Sequence, residues 1–262
     1  MTPRPSADRA FQLRRRLLSR IGRRYQVASE NVEFGGVRFV FTRIADPDRV
    51  LDEMAAEADL RDRLNGRRSD GEQLHLPYWA ELWDSARGIG IHLAAVYTAI
   101  SFGKGSRLQA LDLGCGMGMA GTVAAALGAD VVFADLEPPA LLFARLNSLP
   151  WRKRVRTRQL NWQRDRLDRR FDLIIGADIL YERAQWPFLE AFWRVHLAEG
   201  GQVLLGEPGR QTGDLFLEWI VAHGWIVATT EIRVTTRPRA IRIFTIKREQ
   251  EMADLNQVRR RQ

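Results

Sequence analysis

Three alternating glycines, Gly114-Cys115-Gly116-Met117-Gly118, separate the apolar run Leu108 to Leu113 from the small-residue segment Met119 to Leu127. At a strand-to-helix turn such glycines let the main chain approach a ligand without a Cβ in the way. Asp135 ends the next apolar run, and its carboxylate can accept hydrogen bonds from both hydroxyls of a ribose. Two chemistries compete for this loop. Gly116-x-Gly118-x-x-Gly121 satisfies the dinucleotide fingerprint, and Asp135 lies about 20 residues on, as that fingerprint requires. Yet the first glycine after the strand is Gly114, and Asp112 brings a carboxylate to the strand end. A pyrophosphate needs N–H donors and a helix N-terminus, and Asp112 would repel it. A sulfonium and an ammonium would be attracted, so the ligand expected here is S-adenosylmethionine. Asp112, Gly114, Cys115, Gly116, Gly118 and Asp135 are its expected contacts, although Asp112 could instead serve the turn or cap the helix. Cys115 reads as a small loop filler, with no histidine paired to it in the sequence.

The elements that must hold this loop follow from the hydrophobic pattern. A helix begins near Asp84 or Ser85, either of which can cap it, with Ile89, Leu93, Val96 and Ile100 along one side. Strands are expected at 108–113, 131–135, 155–160, 171–176 and 202–206. Between them lie helices over 119–127, 140–149 and about 186–197. A helix over 214–223 then precedes strands at 225–233 and 240–247. Strands alternating with helices imply a Rossmann-like, doubly wound α/β fold whose seven-stranded sheet is mostly parallel, and the last two strands imply an antiparallel last strand. Ahead of this domain, residues 1–76 read as an extension. It comprises a basic helix, a β-hairpin around Gly35-Gly36 and a polar helix over 47–64, with a loop from Asn65 to Gly71. The domain itself covers 77–248, and 249–262 is a charged tail.

Three further stretches carry a family resemblance. Pro77-Tyr78-Trp79-Ala80-Glu81-Leu82-Trp83-Asp84-Ser85-Ala86 resembles the P-Y-W-A-x-L-W-P-S-A entrance motif of the seven-β-strand protein-lysine methyltransferases called methyltransferase family 16. Leu160-Asn161-Trp162 is similar to that family's Leu-Asp-Trp, and Asp178-Ile179-Leu180-Tyr181 to its Asp-x-x-Tyr. Together with the glycine loop and Asp135, these motifs span residues 77–181 in the family's order. The resemblance implies methyl transfer from S-adenosylmethionine to a protein lysine, with S-adenosylhomocysteine as product. It implies that Trp79, Trp83, Leu136, Asn161, Trp162 and Ala177 join the loop around the cofactor. Asp178 and Tyr181 are then the implied catalytic pair where the acceptor enters. The sequence departs from the pattern at Asn161, where the family has Asp, and at Asp84, where it has Pro. Enzymes that methylate base amines commonly carry prolines where Ile179 and Leu180 stand, so RNA ranks behind protein as the acceptor, a small molecule is the other alternative, and a non-catalytic cofactor-binding interaction protein ranks last.

Composition bounds the remaining possibilities. The chain has 262 residues, 45% of them hydrophobic, enough for one large core. One cysteine and four dispersed histidines (75, 92, 196, 223) give no sign of a metal site. No apolar run approaches the ~20 residues that cross a bilayer, so no membrane partner is expected. The net charge of +8 is carried almost entirely by arginine. It is concentrated at Arg14, Arg15, Arg16, Arg20, Arg23 and Arg24 and again at Arg259, Arg260 and Arg261. Phe11, Leu13, Leu17, Leu18 and Ile21 supply an apolar stripe to the first basic helix. A plain cytoplasmic helix is the favoured reading, although in a eukaryotic source the segment resembles a mitochondrial transit peptide leading to the matrix. A second basic cluster, Arg152, Lys153, Arg154, Arg156 and Arg158, suits an acidic surface on a protein substrate or a nucleic acid.

Overall fold

The computed structural model describes residues 5–64, 77–97 and 107–249. The expected loop at 65–71, His75, Ile100, Arg259 to Arg261 and nearly all of the charged tail lie outside the described residues. The chain opens with helix α1 (Pro5–Gly22) and the hairpin β1 (Val27–Phe34) and β2 (Val37–Ile44). Gly35 and Gly36 take φ of 54° and 86°, the left-handed pair that a two-residue hairpin turn demands. Helix α2 (Pro47–Leu64) follows. After a 3₁₀ turn at Tyr78–Ala80 come α3 (Asp84–Tyr97), β3 (Gln109–Leu113) and α4 (Met119–Ala126). Next are β4 (Asp130–Asp135), α5 (Pro138–Asn147), β5 (Val155–Gln159) and β6 (Phe171–Ala177). The chain continues through α6 (Trp186–His196), β7 (Leu197–Glu207) and α7 (Gln211–Ala222) to β8 (Trp225–Ile232) and β9 (Ile241–Arg248).

β3 to β9 form one sheet in the order β5-β4-β3-β6-β7-β9-β8. β9 runs antiparallel to both β7 and β8, and the remaining neighbours pair in parallel. The sheet is thus the doubly wound one expected, with the last strand inserted beside β7. The connections reverse direction between β3 and β6, and in such sheets ligands bind in the crevice beyond the strand ends at that switch point. Leu111, Leu113, Ile174 and Ile175 are fully buried, as strands covered on both faces require. One face of the sheet carries α3, α4 and α5, and the other carries α6 and α7.

The N-terminal extension shares the first of these cores. Leu17, Ile21, Phe34, Phe41 and Ile44 cluster with Phe143 of α5 and Phe133 of β4. Polar bonds pin the hairpin in register. Asn147, at the end of α5, accepts from the Thr42 amide at 2.8 Å, and its own amide group donates to Thr42 O and Met117 O at 2.9 Å each.

The structure corrects several expectations. Phe11 is exposed, so the α1 stripe narrows to Leu13, Leu17, Leu18 and Ile21. On α3 the buried face continues from Leu93 to Ala94 and half-buried Tyr97, which turns Val96 outward. Neither expected cap serves that helix: the Asp84 carboxylate accepts from Thr236 Oγ1, and Ser85 Oγ is buried without a hydrogen-bond partner. β7 begins earlier than expected because Leu197 pairs with Phe171 ahead of a register shift.

Candidate cofactor and acceptor cleft

A cleft of about 660 Å³ opens at the switch point, within the ~300–1,000 Å³ range of small-molecule sites. Its floor is the glycine loop after β3. One wall comes from Asp135, Leu136 and Glu137 at the end of β4, and from Leu160 to Gln163 beyond β5. Ala177, Asp178, Ile179 and Tyr181, after β6, form the opposite side. Tyr78, Trp79, Glu81, Leu82 and Trp83 roof the mouth, and Arg210 reaches in from the turn before α7.

The loop adopts the conformation its glycines permit: Gly114, Gly116 and Gly118 have φ of 64°, 50° and 82°. A Cβ on Gly118 would lie 2.8 Å from Ala144 Cα on α5. Three of the loop's amides are committed. Cys115 N–H donates to Ala134 O at 3.0 Å, Gly116 N–H to Asp135 Oδ2 at 2.8 Å, and Gly118 N–H to Cys115 O at 2.8 Å. These three donors are not open to a pyrophosphate. The charge balance points the same way: among the described residues Glu81, Asp135, Glu137, Asp178 and Glu182 line the cleft against one cation, Arg210. In a chain of net charge +8, this concavity collects carboxylates and suits a cationic ligand.

Asp112 is not among the lining residues. Its carboxylate is buried beneath the loop and accepts from the Gly121 amide of α4 at 2.8 Å. It therefore serves the helix N-terminus and does not line the cleft. Burial pushes its pKa up to about 7, against the pull of the Gly121 amide. Gly121 matches the fingerprint's third position for a related reason. A Cβ there would meet Phe133 Cε1 at 2.5 Å and Asp112 Oδ2 at 2.6 Å.

Asp135 lines the cleft, with one oxygen on the Gly116 amide and the other on the Glu137 amide at 2.9 Å. Burial raises its pKa to about 6, opposed by those amides. The cysteine between the glycines is half-buried, and burial holds its thiol well above the ordinary range, consistent with a filler.

The tryptophans divide in position. Trp79 is buried between Tyr25 and Phe143, at ring distances of 5.4 and 6.1 Å, while still touching the cleft. Trp83 sits at the mouth, its Nε1–H bonded to Tyr78 O at 3.0 Å and the Arg210 guanidinium 5.6 Å from its ring centre. Trp162 closes over Gly114 and donates to Gln185 Oε1 at 3.1 Å. Asn161 Oδ1 accepts from the Gln163 amide at 2.9 Å, so part of its acceptor capacity holds its own turn.

Asp178 takes a φ of 59°, the one non-glycine at positive φ among the described residues. Its amide donates to Gly206 O at 2.9 Å, and its buried carboxylate forms an ion pair with Arg210. Burial raises its pKa, and Arg210 acts against that rise. Such strain persists where the surroundings over-determine it, commonly at functional sites. Tyr181 stands beside Tyr78 with ring centres 5.3 Å apart. Burial pushes its pKa up to about 12, so its hydroxyl remains a donor at neutral pH.

Glu137, Gln185 and Arg210 also line the site and were not singled out from the sequence. Glu137 lies two residues beyond the strand-ending Asp135, a signal that could have found it. Arg210 follows Glu207-Pro208-Gly209 at the carboxyl end of β7, where the switch-point rule places ligand contacts.

This sheet order and glycine cleft define a class I methyltransferase fold. A solved glycopeptide N-methyltransferase, MtfA in complex with sinefungin, has the same architecture. It superposes with a TM-score of 0.53 at 17% identity, covering 64% of this chain and 88% of that one. The chain belongs to the lysine methyltransferase family, whose profile matches residues 76–220. Protein N-lysine methyltransferase METTL21A of Danio rerio is 36% identical over 135 residues, covering 48% of this chain and 58% of that protein. The electron transfer flavoprotein beta subunit lysine methyltransferase of Xenopus laevis is 33% identical over 141 residues, covering 51% and 53%. The matched region thus spans little more than half of each relative. S-adenosylmethionine is the cofactor of this family, and the committed amides and carboxylate lining fit it.

Proposed function

We propose that the protein transfers a methyl group from S-adenosylmethionine to a lysine side chain of a protein substrate. One observation carries the reading: Asp178 and Tyr181 open into the same carboxylate-lined cleft as the glycine loop. When bound, the cofactor supplies a methyl group made electrophilic by its sulfonium, and S-adenosylhomocysteine is left after transfer.

The residues then have distinct tasks. Asp135 holds the ribose, and Trp162 and Asn161 flank the adenine. Asp178 accepts hydrogen bonds from the incoming amine and orients its lone pair. Tyr181 and Tyr78 confine its approach, since alignment is the main source of acceleration in an in-line displacement. The acceptor must lose a proton first, because free lysine has a pKa near ~10.4. An ionised Asp178 stabilises the ammonium and so does not lower that pKa. The proton therefore leaves to water through the mouth. Lys153, Arg156 and Arg158, exposed on and beside edge strand β5, support an acidic surface on the substrate.

Mass spectrometry of methylated peptides in cells with and without the gene tests the activity. Loss of specific methyl-lysines is expected, and methylation lost only from nucleic acid would overturn it. With purified protein, Asp178→Ala should abolish transfer while cofactor affinity stays within about threefold, because its carboxylate serves the acceptor and not the cofactor. Asp135→Ala should weaken cofactor binding first. Equal effects of both on cofactor affinity would refute this division.

A further inference from the structure

Resting on the reading of the cleft as an acceptor-lysine site, we propose that Arg210 selects the acceptor by occupying the lysine's cation subsite itself. Its guanidinium pairs with the Asp178 carboxylate and lies over the Trp83 ring at 5.6 Å. A carboxylate backed by an aromatic face is what an ammonium seeks. Asp178 is 5% exposed and Arg210 38%, so the guanidinium covers the carboxylate from the solvent side. A lysine cannot reach Asp178 without displacing it.

The surroundings allow a side-chain exchange on a fixed backbone. The Arg210 and Gly209 amides donate to the buried Glu207 carboxylate at 2.5 and 2.8 Å, and Arg242 pairs with Glu207 at 2.5 Å. Arg210 is thus anchored at its main chain, and only its side chain has to move. Displacement turns the guanidinium out toward the mouth, where an acid on the substrate can receive it. The favoured acceptor is therefore a lysine with a carboxylate nearby, and lysines lacking one meet a closed subsite.

The test is binding of n-butylammonium, the end of a lysine side chain, to the full chain saturated with S-adenosylhomocysteine, followed by calorimetry. A subsite held about nine-tenths of the time by Arg210 weakens an added cation about tenfold. Arg210→Gln should therefore bind n-butylammonium about tenfold tighter than the parent. Arg210→Met, which keeps the stem over Trp83, should gain similarly and serves if the glutamine variant does not fold. Arg210→Lys retains the cation and should stay near the parent. Unchanged or weaker binding in the neutral variants, or an equal gain in the lysine variant, would overturn the proposal. The readout is independent of methyl transfer, so failure of the lysine-methylation reading would register separately, as an absence of methyl-lysine.

Discussion

Asp112 shows how little a residue's type says about its direction. At the end of a buried strand beside a glycine turn, a carboxylate can face a ligand or a helix, and the sequence is the same for both. Here it lies under the loop against the Gly121 amide. The consequence is thermodynamic. Its folded pKa of about 7 lies above the usual ~3.9 of an unfolded aspartate, so the folded chain holds a proton that the unfolded chain releases. Stability is then highest at acid pH, falls as pH rises between those two values, and levels off above them. Asp112→Asn retains an acceptor for Gly121 and removes the titration. Its unfolding free energy relative to the parent, from denaturant titration at each pH, should rise between pH 5 and pH 8 by on the order of a few kcal/mol. A pH-independent offset would contradict the burial account. Asp135, by contrast, was legible in both place and direction, because a strand-ending acid after a glycine turn has the cleft in front of it. Arg210 was not legible as the partner of Asp178. Thirty-two positions separate them, and only the parallel pairing of β6 with β7 brings their strand ends together.

At the scale of elements, turn chemistry was the readable part. Gly35-Gly36 marked the hairpin, and the glycine loop marked the junction of β3 and α4. Strand lengths were less readable: the pairing of Leu197 with Phe171 depends on a partner strand whose register shift no local pattern announces. The same holds for the caps of α3, since Asp84 is drawn to Thr236 by tertiary contact. Gly118 joins the two levels. It needs a left-handed backbone, and α5 leaves no room for a side chain. Gly118→Ala should therefore cost about 1–3 kcal/mol of stability and weaken cofactor affinity by more than about tenfold. Equilibrium unfolding and cofactor titration would check the two losses separately. Retained affinity would mean the loop tolerates a shift of α5.

For the whole molecule, alternating strands and helices gave the sheet and its antiparallel last strand. What composition concealed is the separation of charge. A strongly basic chain encloses an acid-lined cleft, so the chain as a whole and its cavity have opposite signs. Sequence order also suggested an extension attached to a domain, whereas hairpin and sheet share one core.

The three hydrogen bonds of Asn147 carry that union to the site, because one side chain holds both Thr42 of the hairpin and Met117 of the glycine loop. Whatever stiffens the loop must, by reciprocity, suppress local opening of β2. Amide hydrogen exchange at Thr42 should slow when the protein is saturated with cofactor, and Asn147→Ala should remove that protection while leaving exchange in β9 as it was. If Thr42 exchanges at one rate with and without cofactor, the hairpin is only a neighbour of the loop and not a reporter of its occupancy.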